Sequence, residues 1–307
     1  MMTAPRPATW KVLLAFSIVY FVWGSTYLAI RVGVREIPPF LMAAMRIGFA
    51  GAILYLWLRI RGTVAPTRHE WRSASLLAVL IFVLDYGLLF WAEQHIPSGI
   101  AAVMMATIPV FMALCEILFL GTQRLTVRLA FALVVGLGGV AVLVSHSLNF
   151  GETPVNTAGA VALVTAAISW SVGSMLTRKL SLPVSKPMSS ATQMLMGGVF
   201  LMLVSAACGE LRGLHLQTVS LKAWLCLAYL IVAGSIVAFT AYIWLIHHES
   251  PTKVATYAYV NPVVAVVLGY FLAGEAVGPR TLLGTLLVLA SVILITSTST
   301  KRPAAAT

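Results

Sequence analysis

The sequence predicts an all-α membrane protein, with ten transmembrane helices arranged as two inverted five-helix repeats. Three observations predict it. Hydrophobic residues fill 60% of the 307 positions and charged residues only 9%, whereas soluble domains carry about 25% charged residues. The apolar residues fall in runs of roughly the 20 residues that a helix needs to cross the hydrocarbon core. Residues of the first half recur in the second at a near-constant spacing. This composition excludes a soluble domain, because a folded surface needs polar groups to stay in water. The formal net charge of +11 implies no nucleic-acid partner, because the basic residues punctuate the ends of apolar runs and form no single patch. The partners implied are the lipid bilayer and a small-molecule substrate, and a homo-oligomer is left open.

Ten runs can be read, at 12–30, 39–58, 74–91, 98–120, 127–145, 157–176, 188–208, 223–246, 254–273 and 281–298. The first follows Arg6 and Lys11. It is too long for a signal-peptide core and lacks an A-x-A-like cleavage site, so it counts as a span. With a cytoplasmic N-terminus, the outer connections hold Arg31, Arg35, Arg212, Lys222 and Arg280. Arg46 lies inside a span, and the other 14 of the 20 Lys and Arg residues fall on the inner side. That bias places both termini in the cytoplasm and the protein in the cytoplasmic membrane. The connections are short, which leaves two membrane units, 10–146 and 155–299. Cys115, Cys208 and Cys226 sit in apolar runs with no CxxC pair, so they read as small hydrophobes, with no disulfide, metal or cofactor implied.

The repeat is visible in identities. At a shift of 147, Trp23 falls on Trp170, Arg31 on Arg178, Ala44 on Ala191 and Gly51 on Gly198. At a shift of 153, His95 falls on His248, Ala102 on Ala255, Pro109 on Pro262 and Gly121 on Gly274. Matched residues occupy matched spans. Five spans per copy is an odd number, so the second copy inserts upside down, which puts a substrate site near midplane between the copies. Pro109 and Pro262 each remove a backbone hydrogen bond within a span. They are expected to break their helices, either as packing kinks or against a cavity.

Three stretches carry a family resemblance: "FVWGSTYLAIRVGVREIPPFLMAAMRIGFAG", "FWAEQHIPSGIAAVMMATIPVFMAL" and "SPTKVATYAYVNPVVAVVLGYFLAGEAV". They resemble drug/metabolite transporter superfamily members of the EamA type, and the likeness covers nearly the whole chain. The resemblance implies two EamA units, ten helices and transport, often export, of small metabolites such as amino acids. One departure is visible: Gly274–Glu275 has Gly121–Thr122 as its counterpart, with no acid.

The residues with chemistry to offer are few. Arg46 is a permanent cation in the second span, where insertion costs on the order of 3 kcal/mol unless it faces a cavity or a partner. Asp85, on the neighbouring third span, lies at a depth that permits a pair. The pair either fixes two helices, or Arg46 offers its planar fork to a substrate carboxylate. Asp85, Glu93 and Glu116 are the candidates for proton coupling, Glu116 being equally readable as an acid at the inner interface. Tyr20, Trp23 and Tyr27 follow helical spacing on the first span, Trp91 stands at the outer mouth, and Tyr242 comes late in the eighth. Tyr257, Tyr259 and Asn261 gather before Pro262, and Gln193 is the shifted counterpart of Arg46. These are the candidates for a cavity wall. "GLGGVA" (136–141) and "GFAG" (48–51) mark close helix packing.

The function expected is a secondary transporter, most readily an exporter of amino acids or related polar or amphipathic compounds, working by alternating access. An intramembrane enzyme acting on lipid-linked substrates would need clustered nucleophiles, acids or metal ligands. A non-transporting scaffold would leave Arg46 and Asp85 replaceable by apolar residues. A primary pump is excluded, because no GxxxxGK[ST] pattern occurs.

Overall fold

Several connections end in a residue that closes the next helix. Thr67 accepts from the Glu70 amide while Glu70 reaches back to the Thr67 amide, a reciprocal capping box. Asn156 accepts from Gly159 at 2.8 Å, Ser185 from Met188 at 3.4 Å and Ser220 from Ala223 at 3.2 Å. Pro39 stands at the first helical position after Pro38, where its missing amide hydrogen costs nothing. These residues fix where each apolar run begins to wind.

The computed structural model describes residues 8–115, 117–118, 126–144, 155–177, 179–212, 216–248, 254 and 256–298. Glu116, one of the proton-coupling candidates, lies outside the described residues. Every regular element among the described residues is helical. Seven helices are long and apolar enough to cross a membrane: α1 (Thr9–Gly33), α2 (Pro39–Ile60), α3 (Arg68–Ala92), α4 (Ser98–Cys115), α6 (Thr157–Leu176), α7 (Lys186–Ala207) and α8, in which that stretch is Leu221–Tyr242. Shorter apolar stretches lie in α5 (Val127–Leu143), α9 (Tyr257–Ala273) and α10 (Pro279–Ile295). Large apolar side chains such as Phe21, Phe49, Leu56, Leu203 and Phe271 point outward. That is the arrangement for a protein whose solvent is lipid.

The packing pairs elements in a regular way. α2 lies along α7 and α5 along α10, α1 packs on α8 as α6 packs on α3, and α4 meets both α6 and α9. Glycines allow the two closest crossings. A Cβ on Gly48 would lie 3.6 Å from the Gly198 Cα, and one on Gly51 would lie 2.7 Å from the Leu195 amide nitrogen. At the α5–α10 crossing a Cβ on Gly139 would lie 3.0 Å from the Val288 nitrogen. The two glycine motifs are therefore helix contacts, as their place inside apolar runs implies.

Three spans widen into π-helical turns, at Ile18–Val22 in α1, Val79–Gly87 in α3 and Leu230–Val237 in α8. Such turns displace the backbone ladder and are frequent at functional sites. Side chains of other spans bond to them. Trp23 Nε1 donates to the Gly234 carbonyl at 3.1 Å, and Ser169 Oγ of α6 donates to the Leu80 carbonyl at 2.8 Å. Ser235 Oγ donates within its own turn to the Leu230 carbonyl at 2.9 Å.

The prolines do not act alike. α4 is interrupted by a turn at residues 106–107, just before Pro109, where Thr107 Oγ1 donates to the Met104 carbonyl at 2.6 Å and Ser171 of α6 donates to the Ile108 carbonyl at 3.2 Å. Pro262 lies inside an unbroken helix, which corrects the expectation of matched breaks. The reason is position. Pro109 has a full two turns of helix before it, so its ring must displace a carbonyl held on both sides. Pro262 stands in the second turn of α9, preceded by a turn at Thr256 that already frees the chain.

Candidate functional site

α1, α2, α3, α8 and α9 surround one buried polar cluster with Arg46 at its centre. Arg46 is 3% exposed. Its Nε donates to Ser235 Oγ of α8 at 3.1 Å. Its guanidinium carbon lies 5.1 Å from the Tyr86 ring and 5.9 Å from the Phe90 ring, both on α3. A cation over aromatic faces is held by the ring quadrupoles without needing a counter-charge. Gly234 makes room for it: a Cβ there would lie 3.0 Å from Thr26 Cγ2 and 3.4 Å from Arg46 Nη2. Tyr27, Glu93 and Tyr229 complete the electrostatic neighbours of the guanidinium. The Tyr229 hydroxyl shares a 2.6 Å hydrogen bond with Ser25 Oγ.

Arg46 does not pair with Asp85. Asp85 is 2% exposed and its Oδ1 has no hydrogen-bond partner among the described residues. Depth permits the pair, but rotation decides against it. Neighbouring helical residues point roughly a quarter turn apart, and it is Tyr86 that lies under the guanidinium. Asp85 is left beside Tyr27 and Tyr86. Glu93 is fully buried, and neither of its carboxylate oxygens has a hydrogen-bond partner among the described residues. Its backbone carbonyl accepts from Arg31 Nη1.

Three of the aromatic candidates do come together. The Trp23 ring lies 5.1 Å from Tyr242 and 5.2 Å from Tyr257, and Tyr242 meets Tyr257 edge-on at 5.8 Å. Edge and tilted contacts of this kind are the favoured aromatic geometry. The Tyr20 hydroxyl bonds Thr256 Oγ1. Asn261 is buried, and its Oδ1 has no hydrogen-bond partner among the described residues. Tyr259 is half-buried, with Tyr20 as an electrostatic neighbour. Trp91 packs edge-on against His95 at 5.0 Å. Gln193 donates to Ser189 Oγ at 3.0 Å within its own helix, so its shifted correspondence to Arg46 brings no shared contact.

Tyr86, Phe90, Gly234, Ser235 and Tyr229 belong to the cluster and were not foreseen. Two signals existed: Tyr86 adjoins Asp85, and Gly234–Ser235 is a small polar interruption in an otherwise apolar run. Chemically, the cluster offers a guanidinium fork with its outer nitrogens unengaged among the described residues. The surrounding spans also present the buried Asp85 and Glu93 carboxylates, the Asn261 amide oxygen without a hydrogen-bond partner among the described residues, and an aromatic wall.

Residues 9–145 and 157–297 each match the model of the EamA-like transporter family. The uncharacterized inner membrane transporter YedA of Escherichia coli K12 is 39% identical over 285 residues, covering 92% of this chain and 89% of that protein. The protein PecM of Dickeya dadantii is 28% identical over 276 residues, covering 89% and 88%. The uncharacterized transporter YvbV of Bacillus subtilis is 25% identical over 303 residues, covering 98% and 96%. One crystal structure superposes with a TM-score of 0.62 at 20% identity, over 94% of this chain and 96% of that one.

Proposed function

Because the chain belongs to the EamA-like transporter family, we propose that it is a secondary carrier exporting amino acids or related polar or amphipathic compounds. It works by alternating access between two inverted five-helix repeats, 10–146 and 155–299, with ten spans and both termini in the cytoplasm. The regular packing supports the repeat: α1 on α8 and α6 on α3 are equivalent pairs, and each carries a hydrogen bond into a π-helical turn. The name of the Escherichia coli relative supports an inner-membrane location.

The observation that carries the substrate reading is a buried arginine that bonds a serine and lies over two rings, with no direct bond to a carboxylate among the described residues. A substrate carboxylate fits the free fork, since planar guanidinium and carboxylate bond in pairs. The unpartnered Asp85 suits an ammonium, which makes the preferred ligand a zwitterion. Trp23, Tyr242 and Tyr257 form the apolar wall beside it. Asp85 and Glu93 are the groups suited to take a coupling proton, being buried carboxylates of which Asp85 Oδ1 and both Glu93 oxygens have no hydrogen-bond partner among the described residues. Transport follows if the site binds substrate from each side in turn, with binding energy that differs between the two states.

The test is uptake and counterflow of a panel of labelled amino acids in proteoliposomes holding the purified protein, with and without a pH gradient. Saturable transport of a zwitterion, competed by its congeners and not by its esters, is the expected result. Transport of compounds lacking any anionic group, with amino acids ignored, would overturn the substrate class.

A further inference from the structure

Three carboxylates fasten the two halves of the chain together at one face. Glu36, between α1 and α2, accepts from the Ser220 amide at 2.6 Å and the Ser220 hydroxyl at 2.8 Å, and Ser220 is the residue that caps α8. Glu210, after α7, accepts from the amides of Phe40 at 3.2 Å and Leu41 at 2.9 Å, in the first turn of α2. Glu275, after α9, accepts from the Ser98 amide and hydroxyl, both at 2.8 Å, and from the Gly99 amide at 3.1 Å, where α4 begins. In every case the acid comes from one half and the helix from the other. The amides it takes have no partner inside their own first turn, and they lie at the positive end of the helix dipole. Glu36 and Glu210 are reciprocal, since each hairpin supplies an acid to a helix of the other. At the opposite face the described carboxylate, Glu70, only closes its own helix.

We propose that Glu36, Glu210 and Glu275 are the latches of the outer gate, and that outward opening requires α8, α2 and α4 to release them. This rests on the two-half carrier reading and on the orientation proposed above. The bonds suit a reversible latch. Each is charge-assisted and so stronger than a neutral bond, yet water solvates both parties once they part. Glu36 is exposed, whereas Glu210 and Glu275 are half-buried, so Glu36 is the weakest of the three.

The test uses a chain without Cys115, Cys208 and Cys226 that carries Thr26→Cys beside Arg46, reconstituted in vesicles of known orientation. A membrane-impermeant maleimide is added to the outer side. Labelling is expected to rise about tenfold in Glu210→Ala and in Glu275→Ala, and less in the glutamine versions, which keep an uncharged acceptor. Glu36→Ala should have the smallest effect. Gel filtration and thermal melting establish that each variant is folded. Spin labels at Arg35 and Arg212, on the two hairpins that exchange latches, read the same gap without a reporter in the site and should move apart in Glu210→Gln. Unchanged labelling together with unchanged spin-label separation in the folded variants overturns the proposal, as does faster labelling from the inner side. Neither readout needs a substrate. Transport alongside unmoved latches would therefore overturn the latches and leave the carrier reading standing.

Discussion

Replacing Arg46 by methionine separates a binding role from a packing role, because the structure lets the stability effect be worked out in advance. An arginine at midspan costs about 3 kcal/mol on insertion scales. Against that stand one hydrogen bond from a charged donor to Ser235, worth roughly 1.5–3 kcal/mol. Two ring contacts, at 5.1 and 5.9 Å from the guanidinium carbon, add about 0.5–2 kcal/mol each. The opposing contributions are of similar size. Asp85 has no ion pair to lose, and Glu93, a charge neighbour with no hydrogen bond to the guanidinium, loses only a through-space attraction. Methionine fills similar length without charge, so stability is expected to change by no more than about 1–2 kcal/mol. Transport is a different matter. Losing a paired, charge-assisted contact to a substrate carboxylate should weaken uptake about 100-fold or more. Arg46→Lys, which keeps charge but not the fork, should fall between. The assay is initial uptake rate per folded protein in proteoliposomes, beside melting temperature in detergent. A large drop in melting temperature with uptake per folded protein preserved would refute the reasoning, because it would make Arg46 a packing residue.

Glycines at helix crossings should divide sharply. Gly51→Ala presses a methyl group toward the Leu195 amide nitrogen, 2.7 Å from the Cβ position, and should destabilise by about 1–3 kcal/mol. Gly138→Ala meets nothing within 4 Å and should instead stabilise by roughly 0.5–1 kcal/mol through helix propensity; equal melting temperatures for the two variants would contradict the close-packing account. Trp23→Phe removes the bond to the Gly234 carbonyl while keeping a ring against Tyr242 and Tyr257, so it should cost about 0.5–1.5 kcal/mol and speed hydrogen exchange in the π-helical turn of α8. Glu36 lies outside the spans, and the Ser220 amide, then its hydroxyl, hold its carboxyl below the ordinary glutamate value. A lowered value means the latch is present above the unfolded-state value and is lost only as pH falls through the folded one. The separation of spin labels at Arg35 and Arg212 should therefore be flat between about pH 5 and 8 and widen only at stronger acidity; a widening near neutrality would assign the control to another group.

Much of the architecture was legible in the sequence because the bilayer imposes simple rules. Span length, sparse charge and the placement of Lys and Arg follow from the cost of polar groups in hydrocarbon, and each can be read without knowing any contact. The glycine motifs were legible for the same reason: inside an apolar run, a glycine pair has little purpose except close approach. Arg46, Asp85, Trp23, Tyr242 and Tyr257 stood out because polar or amphipathic side chains in midspan are rare. Rotation and cross-span registry were not legible. Whether Arg46 faces Asp85 or the next residue, Tyr86, depends on a quarter turn of α3, and a π-helical turn lies at that point. No periodicity in the sequence announces such a turn. Nor does it reveal that Glu36, Glu210 and Glu275 each find a helix start 169 or more residues away, since bonds of that separation exist only once the two halves are packed. The sequence by itself determined that the chain is a membrane protein of apolar helices and which side chains are costly there. The tertiary structure alone decided what each costly side chain faces, because partner choice is set by the rotation and depth of separate helices against one another.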